Sequence, residues 1–131
     1  MKILVGYDGS NEAKDALKLA QKHAKALGAK IEVVQSVTRN HPLDYKVIQA
    51  AEKKLEEEIR NLFNGDSTRY GTRLLVSSRS SGKNLIWFSK LGKIDEIIMG
   101  VRKRSNVNKL LMGSTAQHVI LNAPCPVVTI K

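Results

Sequence analysis

Short apolar runs alternate with longer stretches whose hydrophobic positions recur every three or four residues. Lys2–Tyr7 carries Ile3, Leu4 and Val5 and is closed by Gly6 and an Asp8-Gly9-Ser10 turn, the pattern of a buried strand. Ala13, Ala16, Leu17, Ala20, Ala24 and Leu27 then fall on one face of a helix, with Ser10 or Asn11 as its cap and Gly28 just past its end. Ile31–Val37 predicts a second strand, and Thr38–Asp44, with Asn40-His41-Pro42, a loop. Ile48, Ala51, Leu55, Ile59 and Leu62 mark the inner face of a second helix that Asn64-Gly65-Asp66 ends. Leu74–Val76 predicts a third strand, Leu85–Leu91 a short third helix and Ile94–Met99 a fourth strand. Ala116, Val119, Ile120 and Ala123 mark a fourth helix, and Val127–Ile130 a fifth strand after Pro124-Cys125-Pro126.

Strands that alternate with helices in this way predict a parallel sheet covered on both faces, one α/β domain over residues 1–131. In open sheets of this kind, ligands bind beyond the carboxyl ends of the strands, where the strand order reverses. The positions to read for function are therefore Asp8-Gly9-Ser10, Val37-Thr38, Ser77–Gly82 and the segment from Gly100 onward.

A chain of 131 residues, 42% hydrophobic and 26% charged, suits one compact core and excludes collagen-like, disulfide-scaffold and disordered classes. No apolar run approaches the ~20 residues that span a bilayer, and the start of the chain lacks the longer apolar region of a secretory signal. A lone cysteine, Cys125, fits a reducing compartment. The expectation is a cytoplasmic protein with no membrane partner.

Charge sharpens this picture. Residues 1–70 hold twelve Lys/Arg against ten Asp/Glu, whereas residues 71–131 hold ten against two. That asymmetry points to an anionic partner for the second half. Gly100-Val101-Arg102-Lys103-Arg104-Ser105 leaves the fourth strand, and Gly113-Ser114-Thr115 opens the fourth helix. Four cations and no acid lie between the glycines, and a helix start offers free N–H groups to phosphate oxygens. From chemistry alone this segment reads equally as a phosphate site and as a solvated basic loop before an ordinary capped helix. Asp8 has the same double reading. It can take hydrogen bonds from a ribose diol, or form a local turn that caps the first helix.

Taken together, the strand ending in Asp8-Gly9-Ser10, the Gly100 loop, Gly113-Ser114-Thr115 and the ending Ala123-Pro124-Cys125-Pro126-Val127-Val128 resemble the universal stress protein family, in its ATP-binding form. The likeness covers essentially the whole chain. The family's nucleotide pattern is Gly, two residues, Gly, nine residues, then Gly followed by Ser or Thr. Here Gly100, Lys103 and Gly113-Ser114 stand at those spacings, so Lys103 replaces the middle glycine. Lysine there either obstructs close backbone approach or adds a cation for phosphate.

The resemblance implies a Rossmann-like sheet of order 3-2-1-4-5. It assigns Asp8 to the ribose and the backbone of Val37 to the adenine edge. Gly100, Arg102 and Arg104 would line the α- and β-phosphate path, and Gly113, Ser114 and Thr115 would cradle the outer phosphates. The implied ligand is ATP, AMP or ADP, with magnesium accompanying a triphosphate, and the implied assembly is a homodimer through residues 127–130. The function that follows is a nucleotide-responsive regulatory dimer in stress tolerance. The alternatives are a slow ATPase or self-phosphorylating protein using Ser114 or Thr115, and a stress protein that binds no nucleotide because of Lys103. No general base or nucleophile stands at the phosphate end, which favours binding over catalysis.

Other signals lead elsewhere. Gly82-Lys83 fails the Walker pattern because position 77 is Ser and position 84 Asn. His23, His41 and His118 lack zinc spacing, and no metal ligand set is assigned. Scarce aromatics and the absence of a recognised motif argue against nucleic acid.

Overall fold

In the computed structural model, residues 1–39, 42, 44–101 and 113–131 are described. Among these residues nine elements follow one another: β1 (Lys2–Gly6), α1 (Asn11–Leu27), β2 (Lys30–Thr38), α2 (Tyr45–Leu62), β3 (Tyr70–Ser77), α3 (Ser81–Leu91), β4 (Glu96–Gly100), α4 (Ser114–Asn122) and β5 (Val127–Ile130). The strands form one sheet in the order β3-β2-β1-β4-β5, with every pair parallel. The strand order expected from the family resemblance is the one observed. Its reversal lies at β1 and β4, paired from Ile3 opposite Glu96 to Gly6 opposite Met99.

Alternation along the strands builds two cores. Ile3, Val5, Ile31, Val33 and Ile98 pack with Ala13, Ala16, Leu17, Ala20 and Ala24 of α1 and with Leu55 and Ile59 of α2. Leu4, Val34, Ile97 and Met99 face the other way, onto Leu85 and Ile86 of α3 and Ala116 and Val119 of α4. Each fully buried Leu, Ile or Val contributes about 1.5–3 kcal/mol. The central strands therefore anchor both layers at once.

Helix ends follow the capping rules. Ser10 Oγ accepts from Ala13 N–H at 3.1 Å, and Gly28 ends α1 at φ 66°, a left-handed turn that favours glycine. Asp44 caps α2 through Lys46 N–H, and Ser80 caps α3 through Lys83 N–H.

Three boundaries differ from the hydrophobic pattern, each for a local reason. Helix α3 starts at Ser81, four residues before Leu85. Its first turn reads as loop in sequence, but Gly82 lies where a Cβ would come within 2.9 Å of His118 on α4, so the two helices cross closely there. Strand β3 starts at Tyr70 rather than Leu74, because polar edge residues pair with β2 as far back as Ile31 opposite Tyr70. Strand β4 starts at Glu96 rather than Ile94. Ile94 is buried, yet its N–H is spent on Ser89 O, closing α3.

One contact locks α1 to the switch point. A Cβ on Gly100 would lie 2.5 Å from the carbonyl carbon of Glu12 and 2.6 Å from its oxygen. Backbone cannot give way as a flexible side chain can. A Cβ on Gly6, by contrast, would meet only the tip of Leu85, at 3.3 Å. Gly100→Ala is expected to lower stability by about 1–3 kcal/mol, the cost of overpacking, and Gly6→Ala by less. Urea unfolding of the two variants against the wild type measures both, and equal midpoints would refute the ranking.

Candidate functional site

Beyond the carboxyl ends of β1 and β4 lies a cavity of about 240 Å³, somewhat below the ~300–1,000 Å³ usual for small-molecule sites. Its apolar wall is Ala13, Val34, Leu85, Met99 and Ala116, while Asp8, Ser10, Ser36, Ser81 and Thr115 supply polar groups. Gly6, Gly100 and Gly113 contribute backbone, and Tyr7 and Val101 are the other lining groups among the described residues. An apolar slot with a few convergent polar groups at a topological switch point is the arrangement expected of a ligand site.

The residues singled out in sequence divide three ways. Asp8, Gly100, Gly113 and Thr115 line the cavity together, although they stand as far as 107 positions apart in the chain. Val37 and Ser114 are adjacent to lining residues but are not themselves in the wall. Arg102 and Arg104, with Lys103, Ser105, Lys109 and His41, lie outside the described residues.

Asp8 is exposed and its Oδ1 accepts the Ser10 N–H at 2.9 Å. The turn is therefore real, and the same carboxylate fronts the cavity. Gly113 is the N-cap of α4 at φ −64°, with no side-chain cap. Among the described residues nothing lies within 4 Å of a Cβ built on it, and a helix start leaves its first N–H groups without partners inside the helix. Gly100 has the opposite character. Its missing side chain is required by Glu12 behind it, and its part in the wall follows from that packing.

Several lining residues escaped sequence reasoning. Ser36 lies on β2 one residue before Val37 and has its hydroxyl tied to Asn84 at 2.8 Å. Asn84 is 2% exposed and in turn receives Ser77 Oγ at 2.8 Å. The signal was present as Ser and Asn on otherwise apolar element faces, but only the register of β2, β3 and α3 brings them together.

On the opposite side of β1 a second, polar cavity of about 410 Å³ is lined by Tyr7, Asp8, Gly9, Gln35, Lys54 and Glu58, with Ala51 and Leu55. Tyr7 is buried and donates its phenol hydrogen to Glu58 Oε1. Burial first, and then this bond to Glu58, push the phenol well above its ordinary value. The remaining candidates have structural roles. His23 Nδ1 meets Glu96 Oε1 at 2.7 Å, and Trp87, partly exposed, carries Arg79 over its ring at 5.1 Å. Among the described residues no group of three or more His, Cys, Asp or Glu could hold a metal ion, and no helix is long and apolar enough to cross a membrane.

The model of the universal stress protein family matches residues 1–131, and the chain belongs to that family. It is 30% identical over 135 residues to a universal stress protein of Thermus aquaticus, across 98% of this chain and 97% of that protein. A universal stress protein structure from Archaeoglobus fulgidus superposes with a TM-score of 0.81 at 28% identity, covering 100% of this chain and 93% of that one. Another from the same organism, in complex with dAMP, gives 0.79 at 26% identity, covering 100% of this chain and 98% of that one.

The Tyr7 shift has a consequence for stability. The unfolded phenol loses its proton near pH ~10, while the folded one keeps it to higher pH. The folded state then binds more protons, so stability is lost as pH rises above ~10. Between pH ~9 and ~11 the urea midpoint of the wild type is expected to fall further than that of Tyr7→Phe. Parallel declines in the two proteins would show that Tyr7 contributes nothing to the slope.

Proposed function

We propose that this protein binds an adenine nucleotide in the β1/β4 cavity and acts as a regulatory dimer whose surface responds to occupancy. The observation that carries the reading is the convergence of Asp8, Gly100, Gly113 and Thr115 on one cavity at the sheet's reversal. The Archaeoglobus relative solved with dAMP supports the ligand class. In this reading the apolar slot of Val34, Leu85 and Met99 takes the base, with the backbone of Val37 at its edge. Asp8 holds the ribose. The phosphates run from Gly100, past Arg102 and Arg104, to the N–H groups and hydroxyls of Gly113, Ser114 and Thr115.

The ligand is ATP, AMP or ADP. Magnesium accompanying a triphosphate would be held by the phosphate oxygens. Micromolar affinity, about 8 kcal/mol, needs only a few charge-assisted contacts on top of the buried base. The family's place in stress tolerance gives the physiological setting, and cytoplasmic nucleotide pools give the ligand supply.

Asp8→Ala and Gly113→Val test the site from its two ends. Each is expected to weaken ATP binding at least about tenfold, or ~1.4 kcal/mol, in calorimetric titration, with the circular dichroism spectrum unchanged. Unchanged affinity in both would remove the assigned cavity. Labelled ATP adds the enzymatic arm, since retention without turnover supports binding alone, and released phosphate or labelled protein would overturn it.

Dimerisation through β5 is supported by its open edge. Ile97 N–H bonds to Pro126 O and Val101 N–H to Ile130 O, so even-numbered residues of β5 face β4. Val127 and Thr129 then turn their backbone groups outward, a ready template for another strand. A two-fold strand pairing would use both. Thr129→Pro removes one outward donor while sparing the β4 ladder. It is expected to shift sedimentation from dimer to monomer, and a wild type that sediments as a monomer would refute the interface.

A further inference from the structure

The part-buried chain Ser77–Asn84–Ser36 ends in the wall of the β1/β4 cavity. Ser77 Oγ accepts the Arg79 N–H at 3.1 Å and donates its own hydrogen to Asn84 Oδ1 at 2.8 Å. In this orientation of the Asn84 amide, Nδ2 donates to Ser36 Oγ, also at 2.8 Å. Asn84 is 2% exposed, on the first turns of α3, with its own N–H on Ser80 O. It therefore has neither room nor solvent in which to reorient. One lone pair of Ser36 Oγ is taken by the amide, and among the described residues no acceptor takes the Ser36 proton. Ser36 shares its side of β2 with Val34, and both line the cavity beside Leu85 and Met99.

We infer that Ser36 is a specificity-determining hydrogen-bond donor for the base, set in its donor role by Asn84 and Ser77. The inference rests on the proposal that an adenine nucleotide occupies this cavity. It adds which atom type is read, a ring-nitrogen acceptor of the purine, and which side chain reads it. The chain of hydrogen bonds runs one way, from Arg79 N–H through Ser77 and Asn84 to Ser36, so each bond polarises the next toward the cavity. A ligand acceptor placed at Ser36 completes the series. A ligand N–H placed there competes with the Asn84 amide for the same oxygen. Discrimination of this kind is strong, because the wrong ligand leaves a desolvated polar group unpaired. Asn84 touches no ligand in this scheme and acts as a positioning residue.

The test uses AMP with its 1-deaza, 3-deaza and 7-deaza analogues, each replacing one ring nitrogen by C–H, titrated calorimetrically into wild type, Ser36→Ala and Asn84→Asp. In the wild type one analogue is expected to bind about tenfold more weakly than AMP, ~1.4 kcal/mol. In Ser36→Ala, AMP itself weakens by a similar factor and that analogue loses nothing further. Asn84→Asp replaces the amide donor by an acceptor, which draws the Ser36 proton away from the cavity. It is expected to weaken AMP to the Ser36→Ala level, and the double variant no further. Should Asn84→Asp fail to fold, Ser36→Ala with the analogue series decides the matter alone. AMP binding with the same analogue penalties in wild type and Ser36→Ala overturns the role of Ser36 and leaves the cavity assignment standing. No AMP binding to the wild type overturns both.

Discussion

Between the end of β4 and the first turn of α1 there is no space for a side chain. The carbonyl carbon of Glu12 sits 2.5 Å from where a Cβ on Gly100 would be. The geometry of the switch point follows from that contact. Because α1 comes down so close to β4, Asp8 and Ser10 at its start are held on the same side as Gly100, and Ala13 forms part of the wall. The alanine face of α1 belongs to the same constraint. Ala13, Ala16, Ala20 and Ala24 are all nearly or fully buried, and small residues let the helix axis approach the sheet along its length. A bulkier face would lift α1 off the sheet, and Asp8 and Ser10 would move away from Gly100 with it.

Much of the fold was legible because this constraint is written in residue size and periodicity. The alanine face, the Ser10 cap and the Gly28 stop define α1 without reference to anything else, and Ile3, Leu4 and Val5 define a strand buried on both sides. The difficulties arose where a side chain's role depends on a partner distant in sequence. The start of β3 is polar because it is an edge, and Gly71 lies beside the Glu32 carboxylate of the neighbouring strand, with Oε2 2.9 Å from a Cβ built there. The start of α3 is Ser-Gly-Lys-Asn because Gly82 must accept His118 from α4 and Asn84 must reach β2 and β3. Composition read alone makes both segments loops.

The candidate site divides along the same line. Asp8, Gly100, Gly113 and Thr115 stand next to strand ends or at a helix start, and position in the element order was enough to select them. Gly100 shows the limit of that selection. Its position in sequence marks it for the phosphate path, whereas the atoms behind it belong to Glu12, so the residue serves the scaffold first and the wall second. Ser36 shows the converse. Nothing in its local sequence separates it from an ordinary strand serine. Its place in the wall comes from the β2 register, and its donor role comes from Ser77 and Asn84, 41 and 48 positions further along the chain.

A buried amide in a largely apolar layer needs a reason, because an apolar residue of similar size would pack at less desolvation cost. Asn84 loses its water and recovers only what Ser77 and Ser36 return, a net contribution of about 0.5–1.5 kcal/mol per bond. Stability alone is therefore a weak explanation for it. Its bonds do something a leucine could not. They join β2, β3 and α3 at the mouth of the cavity and fix the direction of a hydroxyl that faces it. On the other side of Asp8, Tyr7 and Glu58 play the corresponding part, with a buried phenol fastening the end of β1 to α2. Polar bonds thus brace the carboxyl end of the sheet on both faces, at β2 and β3 on one and just past β1 on the other, in addition to the apolar packing beneath them. Polar bonds are directional where apolar contacts are not, and a site that must present particular atoms to a ligand gains from direction more than from depth of burial.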